Sequence, residues 1–121
     1  MLKDKYELNL MLEDYSKRIN DLRECLNLPE LKKNIESLEE KSNASDFWDD
    51  NKEASKVLKK LGTLKNELNN INSLASLLND FKELLEMGED DEIMEMIDQT
   101  SKEITSLLEK MELEILREGR F

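Results

Sequence analysis

Histidine is absent from the 121 residues. The usual imidazole general base and the commonest transition-metal ligand go with it, so a hydrolase or a zinc centre would need unusual alternatives. One cysteine, Cys25, excludes an internal disulfide and any CxxC chemistry, and it is compatible with a reducing cytosol. It reads as an ordinary buried or half-buried helix residue. The three glycines, Gly62, Gly88 and Gly119, stand apart, whereas a phosphate-cradling loop needs several close together. No apolar run approaches the roughly 20 residues that span a bilayer. Met1-Leu2-Lys3-Asp4-Lys5-Tyr6-Glu7 lacks the apolar core of a signal peptide, so a soluble, cytoplasmic protein without a membrane partner is expected.

What the chain has is charge. Charged residues make up 39% and the net charge is −11, a composition suited to long exposed helices or a slim bundle. Residues 1–60 carry 12 basic and 14 acidic side chains, and residues 61–121 carry 6 and 15. So acidic a chain is repelled by phosphate backbones, and direct nucleic-acid binding is not expected. A basic protein partner suits the acidic half. Alternatively, the charge only keeps a thin bundle soluble.

The apolar residues recur at helical spacing. Leu8, Leu12, Tyr15, Ile19, Leu22 and Leu26 keep gaps of three and four, the seam of one buried stripe. Pro29 is expected to end this run, leaving a kink or a short gap before Leu31, Ile35 and Leu38 resume it. Ser42 to Asp50 reads as a loop, after which Asp49, Asp50 or Asn51 can cap a new helix. That helix is predicted over about 51–87 with the stripe Val57, Leu61, Leu64, Leu68, Ile71, Leu74, Leu78, Phe81 and Leu85, running through Gly62. Gly88 is a natural stop. Glu89-Asp90-Asp91-Glu92 then opens a last helix where the helix dipole favours acids. Its stripe is Ile93, Ile97, Thr100, Ile104, Leu107 or Leu108, Met111 and Ile115, ending near Gly119, with Arg117 and Arg120 placed to face the last carbonyls. No segment alternates with a strand's period of two. The fold class is therefore all-α: an elongated antiparallel coiled-coil-like bundle of three long arms, the first broken near Pro29, forming a single domain over 1–121.

No constellation of catalytic residues emerges. The acidic run from Glu89 to Asp98 lacks the glycine of a calcium loop and fits a helix start. Lys56, Lys59, Lys60 and Lys65 read as a solvated helix face, with an RNA or acidic partner as the alternative. Met87, Met94, Met96 and Met111 read as core filling. No catalytic, cofactor or metal residue is assigned, and the partner-binding residues stay unassigned. An enzyme is not expected.

The turn Ser45-Asp46-Phe47-Trp48-Asp49-Asp50 holds the only tryptophan. Phe47 and Trp48 are expected to pin this polar loop against the helix ends, since burying an indole offsets the cost of ordering it. The other reading is an exposed aromatic anchor for a partner. In register around the turn lie Asn20-Asp21-Leu22-Arg23, Leu38-Glu39, Ala54, the leucine ladder through Leu64, Leu78 to Leu85, Glu89 to Glu92 and Leu113-Glu114. On these residues the chain resembles, over essentially its whole length, the N-terminal helical domain of the bacterial peptide chain release factor 2 family. These are class I termination factors that read UGA and UAA.

The resemblance implies an accessory arm reaching towards the stalk base of the large ribosomal subunit and working with the GTPase that recycles release factors. It implies no chemistry for these residues, because codon reading and peptide release in the family rest on loops of later domains. Neither Gly-Gly-Gln nor Ser-Pro-Phe occurs here. An excised domain of a protein about three times longer is thus expected. The alternative function is a free-standing coiled-coil adaptor or chaperone-like bundle.

Overall fold

The structure is a computed structural model that describes residues 3–120; Met1, Leu2 and Phe121 lie outside them. Among the described residues four α-helices follow one another: α1 (Lys5–Leu26), α2 (Leu28–Ser42), α3 (Asn51–Glu86) and α4 (Asp91–Arg117). A short 3-10 turn, Phe47–Asp49, precedes α3, and no strand occurs among the described residues. The all-α class holds.

Local chemistry sets each boundary. The Asp4 carboxylate accepts the Glu7 N–H at 2.8 Å and opens α1. The first arm breaks at Asn27, two residues before Pro29. Asn27 takes the left-handed conformation (φ 52°) that asparagine tolerates better than most residues, and its carbonyl accepts from Leu31 N–H. Pro29 falls in the first turn of α2, where its missing N–H costs nothing. The expected break is present, and asparagine rather than proline makes it. Asp50 and Asp90 cap α3 and α4: Asp50 Oδ1 accepts from Lys52 and Glu53 N–H, and Asp90 Oδ1 from Ile93 N–H. At the far end of α4, Gly119 (φ 68°) turns the chain so that Gly119 and Arg120 N–H return to the carbonyls of Leu116 and Ile115. This is a Schellman closure.

The chain divides into two compact units, Met1–Cys25 with Ile71–Phe121, and Leu26–Asn70. In the first unit, Tyr15 packs edge-on to Phe81, with ring centroids 5.5 Å apart. The Tyr15 hydroxyl also lies 3.2 Å from Thr105 Oγ1 and donates to the Ser101 carbonyl at 3.4 Å. Further along both helices, Arg18 meets Glu112 and the Cys25 thiol donates to the Arg120 carbonyl. Contacts therefore advance together along α1 and α4, so these two helices run parallel. The end of α3 runs against both, as the short link at Gly88 requires of α3 and α4.

Two neighbours on α3 broaden its buried face. Ile71, Leu74, Phe81 and Leu84 are buried, while Leu78 and Leu85 are half-buried. The expected stripe is thus displaced from Leu85 to Leu84. On α4 the buried line is Ile97, Ser101, Ile104, Leu108, Met111 and Ile115. Ser101 takes the place expected for Thr100, which keeps the 4-3-4-3-4 spacing, and its hydroxyl is satisfied by the Asp98 carbonyl at 2.7 Å. Of the four methionines expected in the core only Met111 is buried; Met94 is half-buried, and Met87 and Met96 are exposed. Met87 and Met96 lie off the buried line, one beside the Gly88 turn and the other a position before Ile97. Cys25 is half-buried.

In the second unit α2 and the first part of α3 form a helical hairpin. Leu31, Ile35, Leu61 and Leu64 make its core, with Leu28, Leu38 and Leu68 packed against them. Ion pairs Glu39–Lys65 (3.0 Å) and Lys41–Glu53 (3.5 Å) bridge its helices.

Candidate functional site: the aromatic turn of the α2–α3 hairpin

The turn is ordered by its own backbone. Asn43 N–H reaches the Glu39 and Glu40 carbonyls, Ala44 N–H reaches Lys41, Phe47 N–H reaches Ala44 and Asp49 N–H reaches Asp46. The Ser42 hydroxyl donates to the Glu39 carbonyl at 2.8 Å. Asp50 then opens α3, so one of the three residues expected to cap does so. With these four amides bonded locally, the backbone of the turn is held in part independently of its aromatic rings.

Only one of them is buried. Phe47 is 9% exposed and packs with Ala54, Val57 and Leu38. Ala54 is fully buried and small, leaving room for the phenyl ring. Trp48 is 61% exposed and touches Phe47 edge-on, with centroids 5.1 Å apart at 77°. Successive residues of a tight helical turn point in directions about a third of a turn apart, so one ring facing the hairpin sends the next one outward. The expectation that both rings pin the loop is corrected: Phe47 pins it, and Trp48 is presented to solvent. The signal for this was the alanine at position 54, one helical turn into α3.

The remaining residues singled out in the sequence are placed as follows. Lys56, Lys59 and Lys60 are exposed on α3, and Lys65 pairs with Glu39. The acids from Glu89 to Asp98 open α4, and among the described residues no group of three or more His, Cys, Asp or Glu side chains is arranged to hold a metal ion. No helix among those residues is long and apolar enough to cross a membrane. In the first unit Arg18 of α1 joins two carboxylates. Its Nη2 and Nε donate to the two Glu112 oxygens at 2.6 and 3.0 Å, and Nη1 donates to Asp14 at 3.2 Å. These bonds, Glu112 foremost, hold the Arg18 proton more firmly than usual against the opposing effect of burial.

Comparison with known proteins agrees with the resemblance read from the turn. The chain is 34% identical over 117 residues to peptide chain release factor 2 of Thermotoga sp. (strain RQ2), covering 96% of this chain and 32% of that protein. It is 28% identical to the chloroplastic peptide chain release factor PrfB1 of Arabidopsis thaliana, covering 100% of this chain and 28% of that protein. It is 27% identical to peptide chain release factor 2 of Staphylococcus epidermidis, covering 93% and 31%. The chain thus spans about a third of the length of the curated relatives it matches. No solved structure matches it. The PCRF domain model matches residues 31–118, a span that takes in α3 and α4, nearly all of α2 and the aromatic turn, and the chain belongs to the PCRF domain family.

Proposed function

We propose that this chain is the N-terminal helical domain of a cytoplasmic class I peptide chain release factor that directs termination at UGA and UAA. In this reading it is one domain of a longer protein. Codon reading and peptide release reside in other domains, and these residues contribute contacts without chemistry of their own. The partners are the stalk base of the large ribosomal subunit and the GTPase that recycles release factors. The observation that carries the reading is the family match through the Trp48 turn, joined to the similarity to release factor 2 proteins.

Two surfaces support contact as the role. Trp48 offers a large, rigid apolar ring from an ordered turn, the type of side chain that anchors protein interfaces. The acidic α4, opened by Asp90, Asp91 and Glu92, complements a basic ribosomal protein.

The test is co-sedimentation of the chain with separated ribosomal subunits, with and without the GTPase. Pelleting with large subunits that weakens as salt rises is the expected result. Failure to pellet with either subunit at low salt overturns the reading and leaves a free-standing helical adaptor. A Trp48→Ala variant that pellets as well as the parent removes Trp48 from the interface.

A further inference from the structure

Net charge argues against nucleic acid only where that charge is evenly spread, and here it is not. The unit Met1–Cys25 with Ile71–Phe121 holds 10 basic and 20 acidic residues, whereas Leu26–Asn70 holds 8 and 9. Nearly all the excess negative charge therefore belongs to one unit, and the α2–α3 hairpin is close to neutral.

Within the hairpin the charge is sorted again. Lys52, Lys56, Lys59, Thr63 and Asn66 recur along α3 at steps of 4, 3, 4 and 3, and all are exposed. They lie on the side of the helix turned away from Val57, Leu61 and Leu64, forming a polar stripe in register with the apolar one. Neither acid of this part of α3 lies on it: Glu53 pairs with Lys41, and Glu67 is half-buried on the flank. Among the described residues Lys52, Lys56 and Lys59 make no ion pair, so their charge is not consumed internally. Gly62 sits beside the stripe, where a Cβ would meet nothing within 4 Å, and the backbone there is open to close approach.

The stripe contains no apolar or aromatic side chain. Protein interface cores draw on aromatics, methionine and arginine and are depleted in lysine. Phosphate-backbone contacts draw on lysine with small hydroxyl and amide side chains. We infer that the outward face of α3 from Lys52 to Asn66 docks on the sugar–phosphate backbone of double-helical RNA. Lys52, Lys56 and Lys59 neutralise phosphates and the Asn66 amide donates to backbone oxygens, while the Thr63 hydroxyl, which already donates to the Lys59 carbonyl at 3.1 Å, can accept from a ribose 2′-hydroxyl. A helical stripe about 21 Å long, at 1.5 Å per residue, lies along such a surface without reading bases. Binding is then independent of sequence, weak and steeply salt-dependent. This deepens the ribosome-contact reading above and rests on it for its partner in the cell.

The test is titration of the whole 121-residue chain with a 20-base-pair RNA duplex, followed by amide chemical shifts in about 50 mM salt. Shifts are expected to concentrate over residues 52–66. The K52Q/K56Q/K59Q variant should bind at least 10-fold more weakly, with the slope of log affinity against log salt reduced by about 2. Circular dichroism of the variant should match the parent, since the three side chains are exposed and unpaired. Absence of binding, shifts confined to other residues, or an unchanged affinity of the variant overturns the inference. Tighter binding to a polyglutamate peptide than to the duplex also overturns it, in favour of an acidic protein partner. Ribosome pelleting separates the two readings. A parent chain that pellets beside a variant that pellets equally well overturns the RNA face and leaves the ribosome reading standing. A parent that never pellets overturns the ribosome reading, and the duplex titration alone then decides the face.

Discussion

Phe47 and Trp48 are neighbours in the chain and touch edge to face at 5.1 Å, yet one closes the hairpin core and the other faces solvent. The pair divides a structural task from a presenting one within a single 3-10 turn. Phe47 holds the turn in place against Ala54 and Val57, and Trp48 is carried outward on that support.

The two rings should respond very differently to truncation. Phe47→Ala is expected to cost about 3 kcal/mol, as a buried aromatic lost from a packed site. Trp48→Ala should cost at most about 1 kcal/mol, the edge-to-face contact being its main loss. Urea unfolding followed by circular dichroism separates them. Trp48 emission in the parent should be solvent-like, and a strongly blue-shifted spectrum would contradict the exposed placement.

Gly62 lies within α3 with open space where a Cβ would sit, whereas Gly88 adopts φ 108° between α3 and α4. Gly62→Ala is therefore expected to stabilise the chain by about 0.5–1 kcal/mol through helix propensity. Gly88→Ala should destabilise it by about 1 kcal/mol, because L-residues are strained in that region. The two alanines should move the thermal midpoint in opposite directions.

Arg18 grips Glu112 through two hydrogen bonds and Asp14 through a third. Both side chains of the Arg18–Glu112 pair are less than a third exposed, and the geometry is bidentate. A double-mutant cycle with Arg18→Met and Glu112→Gln should give a coupling of about 1 kcal/mol, at the upper end for a pair that water still reaches. The Asp14 bond joins residues four apart on one exposed helix face, and Asp14→Asn should cost no more than about 0.5 kcal/mol. A coupling indistinguishable from zero would show that Glu112 does not hold α1 to α4.

Asp50 accepts two N–H groups at the start of α3. Asp50→Ala should cost about 1 kcal/mol, and Asp50→Ser or Asp50→Asn should recover most of it, since either side chain can still accept. Amide exchange at Lys52 and Glu53 is the local readout: faster exchange in the alanine variant alone is the expected pattern.

Much of this architecture could be read from the order of residues. Helix ends are local events, so the stops at Gly88 and Gly119 and the acidic opening of α4 were visible in advance, while which of Asp49, Asp50 and Asn51 caps α3, and that Asp90 caps α4, came from the structure. Periodicity likewise marked Leu8, Tyr15, Ile19 and Leu22 on α1 and Val57, Leu61 and Leu64 on α3, because a seam against one partner follows the helix's own pitch. The family, too, was legible from the Trp48 turn and the ladders in register with it.

Other features depended on what each helix meets. The parallel run of α1 beside α4 follows from both packing against the end of α3, a relation between segments some ninety residues apart. With two neighbours, α3 buries Leu84 rather than Leu85, and α4 turns Ser101 rather than Thr100 inward. Adjacent candidates differ by only 100° around a helix, and local sequence does not say where the second neighbour lies. Charge was legible only in part: its excess in residues 61–121 and a lysine-bearing helix face could be read in advance, but the unit that holds the excess, and the pairing of Lys65 and Glu53 across the hairpin that leaves Lys52, Lys56 and Lys59 on an acid-free stripe, are set by the folded chain. So it is with the aromatic pair. Composition supplied a phenylalanine and a tryptophan side by side, and the space above Ala54 decided which ring the core would take.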